Sequence, residues 1–171
     1  FELLKGPNGK HHGEPWYELS AKVLAIVRET NPTRTVMIGP GSWNNVNELS
    51  RLRLPRDRDL IVQVHTYEPF AFTHQGVDWR KPPLPAGVRC CDNKQRREMT
   101  QALEKARQWN RANGVPVYLG EFGAHSKGDM ESRAAWARYM RDEAERLGMG
   151  WAWWELASDF SGVWSPGTNG W

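Results

Sequence analysis

The sequence predicts an α/β fold, a partial, half-like TIM (β/α) barrel of about five parallel strands alternating with helices. Three observations lead there. Short apolar runs of strand length alternate along the whole chain with amphipathic stretches of helical period. Three of those runs end in side chains fit for chemistry or binding, namely His65 and Tyr67, Glu121, and Trp153-Trp154-Glu155. Functional groups at the ends of successive buried strands are the arrangement of a (β/α) barrel site. A closed eight-stranded barrel takes about 250 residues, and this chain has 171, so five strands make only part of one.

Phe1 to Lys5 opens the chain as a strand, and an opening in mid-strand is expected to have lost something before it. A loop runs to Glu14, and Pro15 then sits where a first helical turn tolerates it. Trp16, Leu19, Val23 and Ile26 recur at helical spacing until Asn31-Pro32 stops the helix. Thr35 to Gly39 reads as the second strand. A short helix follows, with Ser42 as its cap and Val46, Leu49 and Leu52 on one face, then the apolar strand ending at His65. Tyr67 to Asn93 is rich in Pro and Gly without periodicity, and a loop of that length is functional or disordered. Asn93 to Asn113 is a helix with Met99, Leu103, Ala106 and Trp109 inward, stopped by Gly114. The Glu121 strand comes next. Asp129 caps a helix carrying Trp136, Met140 and Leu147, and Gly148 ends it. Met149 to Leu156 is the last strand, and Asp159 to Trp171 an irregular tail. No shift of composition marks a second domain, so residues 1–171 read as one.

Composition narrows the function. Apolar residues make up 39 % of the chain, enough for a core. No apolar run approaches the roughly 20 residues of a membrane span. The net charge of +3 is spread out, and the one cluster, Arg51, Arg53, Arg56 and Arg58, is interleaved with Asp57 and Asp59, as in a solvated loop rather than a nucleic-acid site. Cys90 and Cys91 are adjacent, about 3.8 Å apart across a trans peptide and below the usual disulfide range. No CxxC or HExxH spacing marks a metal site, and His11-His12 has no third ligand. No cofactor motif is visible either.

Ten tryptophans are the unusual count. Trp16, Trp109 and Trp136 fall on helices among apolar neighbours and are expected to pack. Trp43, Trp79, Trp153, Trp154 and Trp164 fall at strand ends or in loops, where flat indole faces suit the C–H faces of sugar rings. Glu121 stands out among the charged residues. In Pro116-Val117-Tyr118-Leu119-Gly120-Glu121-Phe122-Gly123 a rigid strand delivers a carboxylate between two glycines that let a backbone or a ligand come close.

Together these segments resemble glycoside hydrolase family 5, the cellulase and endo-β-1,4-glucanase group. The likeness runs through Thr30-Asn31-Pro32-Thr33-Arg34, Gly39-Pro40, His65-Thr66-Tyr67-Glu68-Pro69-Phe70, Phe72-Thr73-His74-Gln75-Gly76, Leu119-Gly120-Glu121-Phe122-Gly123, Ser132-Arg133 and Trp153-Trp154-Glu155. The resemblance implies that the chain runs from the family's fourth strand to its eighth. It implies retaining hydrolysis of β-1,4-glucosidic bonds, with Glu121 as nucleophile, Tyr67 donating a hydrogen bond to it, and His65 lining the same subsite. Trp154 is implied as the platform beneath the sugar, and Trp43, Trp79 and His74 are further candidates for substrate contact. A β-glucan partner and a secreted protein follow from the same resemblance.

One departure is large. The family's fourth strand ends in Asn-Glu-Pro, whose Glu is the acid/base, and this chain has Lys5-Gly6-Pro7. Glu14, Glu68, Glu155 and Asp159 are the candidates to replace it, if any does. Three readings stay open: a hydrolase impaired at its acid step, a glucan-binding remnant, and a half-barrel unit that needs a missing half. Open strand edges at Phe1–Lys5 and Met149–Leu156 are expected to drive homo-oligomerisation.

Overall fold

A computed structural model of the chain describes residues 1–162. Helices α1 (Glu14–Thr30), α2 (Asn93–Asn113) and α3 (Met130–Arg146) alternate with strands β1 (Val36–Ile38), β2 (Leu60–His65), β3 (Val117–Phe122) and β4 (Trp151–Trp153). The strands form a parallel sheet in the order β1-β2-β3-β4. This is the alternation the periodicity predicts, one strand short. The expected strand at Phe1–Lys5 reduces to a single parallel bridge, Glu2 to Met37, fastened by Leu3 N–H to the Met37 carbonyl at 3.2 Å and Met37 N–H to that of Phe1 at 2.6 Å. Gly6 turns the chain away at φ +62, so the ladder cannot lengthen. The last strand likewise keeps only three of its eight expected residues.

The chain packs as two compact units, Phe1–His65 with Glu104–Leu119, and Thr66–Leu103 with the described part of Gly120–Trp171. In the first, β1 and β2 pair in register Val36 to Leu60, Met37 to Ile61 and Ile38 to Val62. Trp16, Tyr17, Leu24, Val36, Ile38 and Leu60 form the core. The buried stripe of α1 is therefore Trp16, Tyr17, Ser20 and Leu24, not the expected Trp16-Leu19-Val23-Ile26. Leu19 and Ile26 are exposed, because the indole N–H of Trp16 reaches the Gly39 carbonyl at 2.8 Å and sets the rotation of the helix. Burying that donor without a partner would cost about 1–3 kcal/mol.

The helix expected after Gly39 splits in two. Val46–Arg51 is a 3₁₀ helix burying Val46 and Leu49, as the pattern predicts. Ser42 is not its cap: Asn45 is, accepting from the Asn47 N–H at 2.9 Å. Ser42, Trp43 and Asn44 take φ of 52, 58 and 58, a left-handed turn of three non-glycine residues.

In the second unit Phe122 stands at the centre of an aromatic cluster, 5.9 Å from Trp136, 5.7 Å from Trp151 and 5.3 Å from Trp153. The indole of Trp136 donates to the Glu68 carbonyl at 3.0 Å. The long segment after Tyr67 carries one helical turn, Phe70–Thr73, and is ordered by a buried amide. Gln75 donates to the carbonyls of Phe72 and Val88 and accepts from the N–H groups of Gly87 and Val88. Asp129 caps α3 through the Ser132 N–H at 2.9 Å, as expected. Cys90 and Cys91 are joined by a disulfide across a cis peptide with Cα atoms 3.1 Å apart, so the trans spacing assumed from the sequence does not hold.

Gly123 is where β3 meets β4. A Cβ there would lie 2.0 Å from the Trp154 carbonyl oxygen, whose own N–H bonds the Phe122 carbonyl at 2.9 Å. Backbone cannot yield as a side-chain tip can. Gly123→Ala should therefore destabilise the fold by about 1–3 kcal/mol, read as a lower urea midpoint at unchanged slope. An unaltered midpoint would show that β4 is not held at this point.

Candidate active site

Strand β3 carries Glu121 to its end, nearly buried at 9 % exposure. Its neighbour Phe122 points into the aromatic cluster, and strand alternation sends the carboxylate to the other face. The Thr66 N–H donates to the Glu121 carbonyl at 3.2 Å. Thr66 and Tyr67 thus follow the course of β3, and the Tyr67 hydroxyl donates to Glu121 Oε2 at 2.8 Å. Burial, then the charge of Glu121, then the hydrogen bond itself and finally Glu155 hold the Tyr67 hydroxyl far above the usual phenol range. The phenol therefore keeps its proton and can only be the donor in this pair.

Behind Tyr67 the same unit assembles rings. His74 meets Tyr67 edge-on at 5.0 Å, stacks on Phe70 at 4.0 Å, and has Trp79 and Phe160 at 5.8 and 5.1 Å. The Thr73 hydroxyl donates to the Tyr67 carbonyl at 2.6 Å and lies 2.9 Å from His74 Nδ1. Burial, and next the neighbouring His125, lower His74 to about 4. His125 accepts the Lys127 N–H on Nδ1 at 3.2 Å, which leaves its proton on Nε2, 3.9 Å from Asp159. Trp154 is half-buried and Trp79 exposed.

The first unit holds the other predicted site residues. His65 ends β2, buried, with Nε2 3.4 Å from Asn44 Nδ2 and a further bond to the backbone of Trp43. Burial first and Lys5 second lower its pKa to about 3. A neutral ring with its Nε2 lone pair toward Asn44 is the form that suits both partners. His65 thus braces the left-handed turn, which leaves the Trp43 indole 62 % exposed. Ser42 Oγ, 3.3 Å from His12 Nδ1, is a second brace. The sequence gives no sign of Asn44 and marks His12 only as a metal ligand without partners; the positive φ values at Ser42, Trp43 and Asn44 reveal the turn that both brace. Gly6 faces Trp43, its position for a Cβ 3.5 Å from Trp43 Cα.

The candidates for the missing acid are dispersed. Glu14 pairs with Arg53 at 2.8 Å on the surface. Glu68 accepts the Phe70 N–H at 3.2 Å. Asp159 is exposed beside His125. Glu155 alone of the four contributes to the electrostatics of Tyr67. Trp164 lies outside the described residues. Among the described residues no group of three or more His, Cys, Asp or Glu side chains could hold a metal ion, and no helix is long and apolar enough to cross a membrane.

The buried histidines give a pH dependence. Their folded pKa values of about 3 and 4 lie below the ordinary 6.5, so between those limits the unfolded chain binds more protons. Stability from neutral His65 and His74 is complete above pH 6.5 and is lost as pH falls toward 4 and then 3, at about 1.4 kcal/mol per pH unit for each histidine titrating. Urea unfolding between pH 7 and pH 4.5 should show this loss, and His74→Asn should reduce the slope by about one proton. A slope unchanged in that variant would contradict the buried neutral state of His74.

The chain is similar to known proteins in sequence and in fold. The family profile of cellulase, glycosyl hydrolase family 5, matches residues 1–159. Endoglucanase H of Acetivibrio thermocellus is 32 % identical over 157 residues, covering 91 % of this chain and 16 % of its own. The solved structure of a hyperthermophilic endo-β-1,4-glucanase in complex with substrate is 39 % identical with a TM-score of 0.93, over 100 % of this chain and 55 % of the other. Thermotoga maritima Cel5A in complex with cellobiose is 32 % identical with a TM-score of 0.91, over 97 % of this chain and 55 % of its own. The chain thus spans about half the length of the solved structures it matches and less of Endoglucanase H. With a matching profile over nearly its whole described length, a partial β/α barrel and a carboxylate seated at the end of β3, this chain belongs to glycosyl hydrolase family 5.

Proposed function

We propose that this chain is a single partial-barrel domain that acts on β-1,4-glucan, with Glu121 as the nucleophile of a retaining hydrolysis. The hydrogen bond from Tyr67 to Glu121 carries the proposal. A carboxylate that must attack an anomeric carbon has to be aimed and kept ionised, and a buried phenol that cannot lose its proton does both. Glu121 Oε would form a bond to the anomeric carbon as the glycosidic oxygen leaves, and water would then release the sugar. His65, neutral and in the first unit, holds the turn that displays Trp43 and is proposed to serve the same substrate. Trp43 in the first unit offers one indole face to a sugar ring, and in the second unit Trp79 and Trp154 offer two more, with His74 beside Trp79.

Protonation of the leaving oxygen is the weak step. The second carboxyl of a retaining pair stands about 5–5.5 Å from the first, and Gly6 has no side chain to give a proton. General acid catalysis contributes about 10²–10⁴-fold, so polymeric glucan should be cleaved slowly and aryl cellobiosides with acidic phenols much faster. Glu155, through its effect on Tyr67, is the residue best supported as a substitute. The bare Gly6 also favours a second reading, a site that binds glucan without cutting it.

Glu121→Gln keeps shape and removes charge. It should abolish release of dinitrophenol from an aryl cellobioside, and full activity in that variant would refute the assignment. Gly6→Glu should raise cleavage of carboxymethyl cellulose, although φ +62 at that position imposes about 1–2 kcal/mol on any side chain. No gain in a folded Gly6→Glu variant means that another residue supplies the proton or that only binding remains. Self-association through β4, the last strand of the sheet among the described residues, is proposed as well. Since β4 is three residues long, it should be weak, visible in sedimentation as a concentration-dependent average mass. A constant monomer mass at high concentration would exclude it.

A further inference from the structure

The tryptophans sort by their indole N–H groups. Trp16 donates to the Gly39 carbonyl, Trp136 to that of Glu68, Trp151 to the Glu145 carboxylate and Trp153 to the Phe160 carbonyl, all at 2.8–3.1 Å. A buried indole needs such a partner. Among the described residues Trp43, Trp79 and Trp109 have none. Trp43 and Trp79 are exposed and are the faces assigned above to sugar. Trp109 is the exception, expected to pack inward from α2. It is instead half-buried and in no ring pair, with its N–H not sealed from solvent.

Trp109 lines a cavity of about 470 Å³ that lies wholly in the first unit. That volume is within the range of small-ligand sites, about 300–1,000 Å³. Lys105, Gln108, Trp109 and Asn113 supply one wall from a single face of α2, being spaced by three, four and eight residues. The 3₁₀ helix Val46–Arg51 supplies the other, with Asn47 and Ser50 at the rim and Val46 and Leu49 at the base. Lys105 Nζ donates to Asn47 Oδ1 at 2.6 Å and ties the walls together. Asn113 Nδ2 donates to the Trp109 carbonyl at 2.9 Å. The Asn113 carbonyl oxygen, the Asn47 amide N–H groups and the whole Gln108 amide then remain for a ligand.

This donor set selects the ligand class. Amides present a donor and an acceptor side by side, the match for vicinal hydroxyls. The indole offers a flat apolar face with an unused donor at its edge. The lining has a single charge, already engaged by Asn47, so an anionic polymer gains little here. We infer that the cavity between α2 and the Val46–Arg51 helix is a second, non-catalytic binding site for a neutral β-glucan chain, with Trp109 as its platform. It shares no residue with the group at the strand ends. The inference rests on the glucan reading above but not on cleavage.

The test uses the Glu121→Gln protein, so that ligand survives, and two probes: retardation in gels containing barley β-glucan, and calorimetry with cellohexaose. In this background Trp109→Ala should weaken retardation about tenfold, as for truncation of an aromatic anchor, and remove one of two binding events. Gln108→Ala combined with Asn113→Ala, both at exposed positions, should weaken it in the same direction without touching the fold. Trp43→Ala should remove the other event only. In the protein with Glu121 intact, Trp109→Ala should leave aryl cellobioside hydrolysis unchanged. Retention and stoichiometry unaltered by both cavity variants, while Trp43→Ala abolishes binding, would overturn the second site and leave the glucan reading standing. Absence of any glucan binding in the parent protein would overturn both. Binding lost with Trp109→Ala, alongside no hydrolysis by the Glu121 protein, would sustain the second site and remove only the catalytic proposal.

Discussion

A single hydrogen bond, from the Tyr67 hydroxyl to Glu121 Oε2 at 2.8 Å, is the constraint around which the rest of the second unit is organised. Neither partner is free to turn away. Tyr67 is pinned through its own carbonyl, which accepts from Thr73, and by the edge-on ring of His74. Glu121 is pinned by strand β3, whose next residue is locked into the Phe122 aromatic cluster. Charge-assisted hydrogen bonds of this kind are roughly twice as strong as neutral ones. Removing the phenol would take one charge-assisted bond from a nearly buried carboxylate, a cost of the order of 1–3 kcal/mol.

The first unit spends its strain differently. Three consecutive left-handed residues, Ser42 to Asn44, each carry an intrinsic penalty of about 1–3 kcal/mol and persist only where surroundings over-determine them. Here His65 and His12 grip the turn through its side chains and backbone, and the outcome is an indole displayed to solvent at Trp43. Asn44 also leaves its Oδ1 buried without a partner among the described residues. A turn so expensive is the kind found at ligand clamps, in agreement with the role proposed for Trp43.

Much of this was legible in the residues. The alternation of apolar runs and helical stripes located every helix of more than two turns, and α2 to its terminal residues, because Met99, Leu103 and Ala106 recur at one period and Gly114 punctuates it. A lone Glu after a strand reads as a helix cap or a surface charge, and Glu121 and Tyr67 stand out only because three apolar strands of one chain end in functional side chains. The misses have physical causes. The stripe of α1 was misplaced because one Trp16 hydrogen bond to Gly39 outweighs an apolar pattern with exposed Leu19 and Ile26. The first strand was overestimated because β-propensity at Phe1–Lys5 says nothing of the positive φ at Gly6. No spacing rule announces a left-handed turn without glycine, so the link between His65 and Trp43 needed coordinates. Period alone places Trp109 in the core, whereas its half-burial and its indole N–H without a protein acceptor among the described residues place it at a cleft.

The proposed attack by Glu121 is tested most directly by trapping the covalent intermediate. A fluorosugar aryl cellobioside with a dinitrophenolate leaving group needs no acid to depart, and its fluorine slows release from the enzyme. It therefore bypasses the consequence of Gly6 and interrogates the nucleophile alone. Mass spectrometry of the digested protein should find a single fluorocellobiosyl adduct on the peptide that contains Glu121. An adduct on another carboxylate, or none after prolonged exposure of folded protein, would contradict the account.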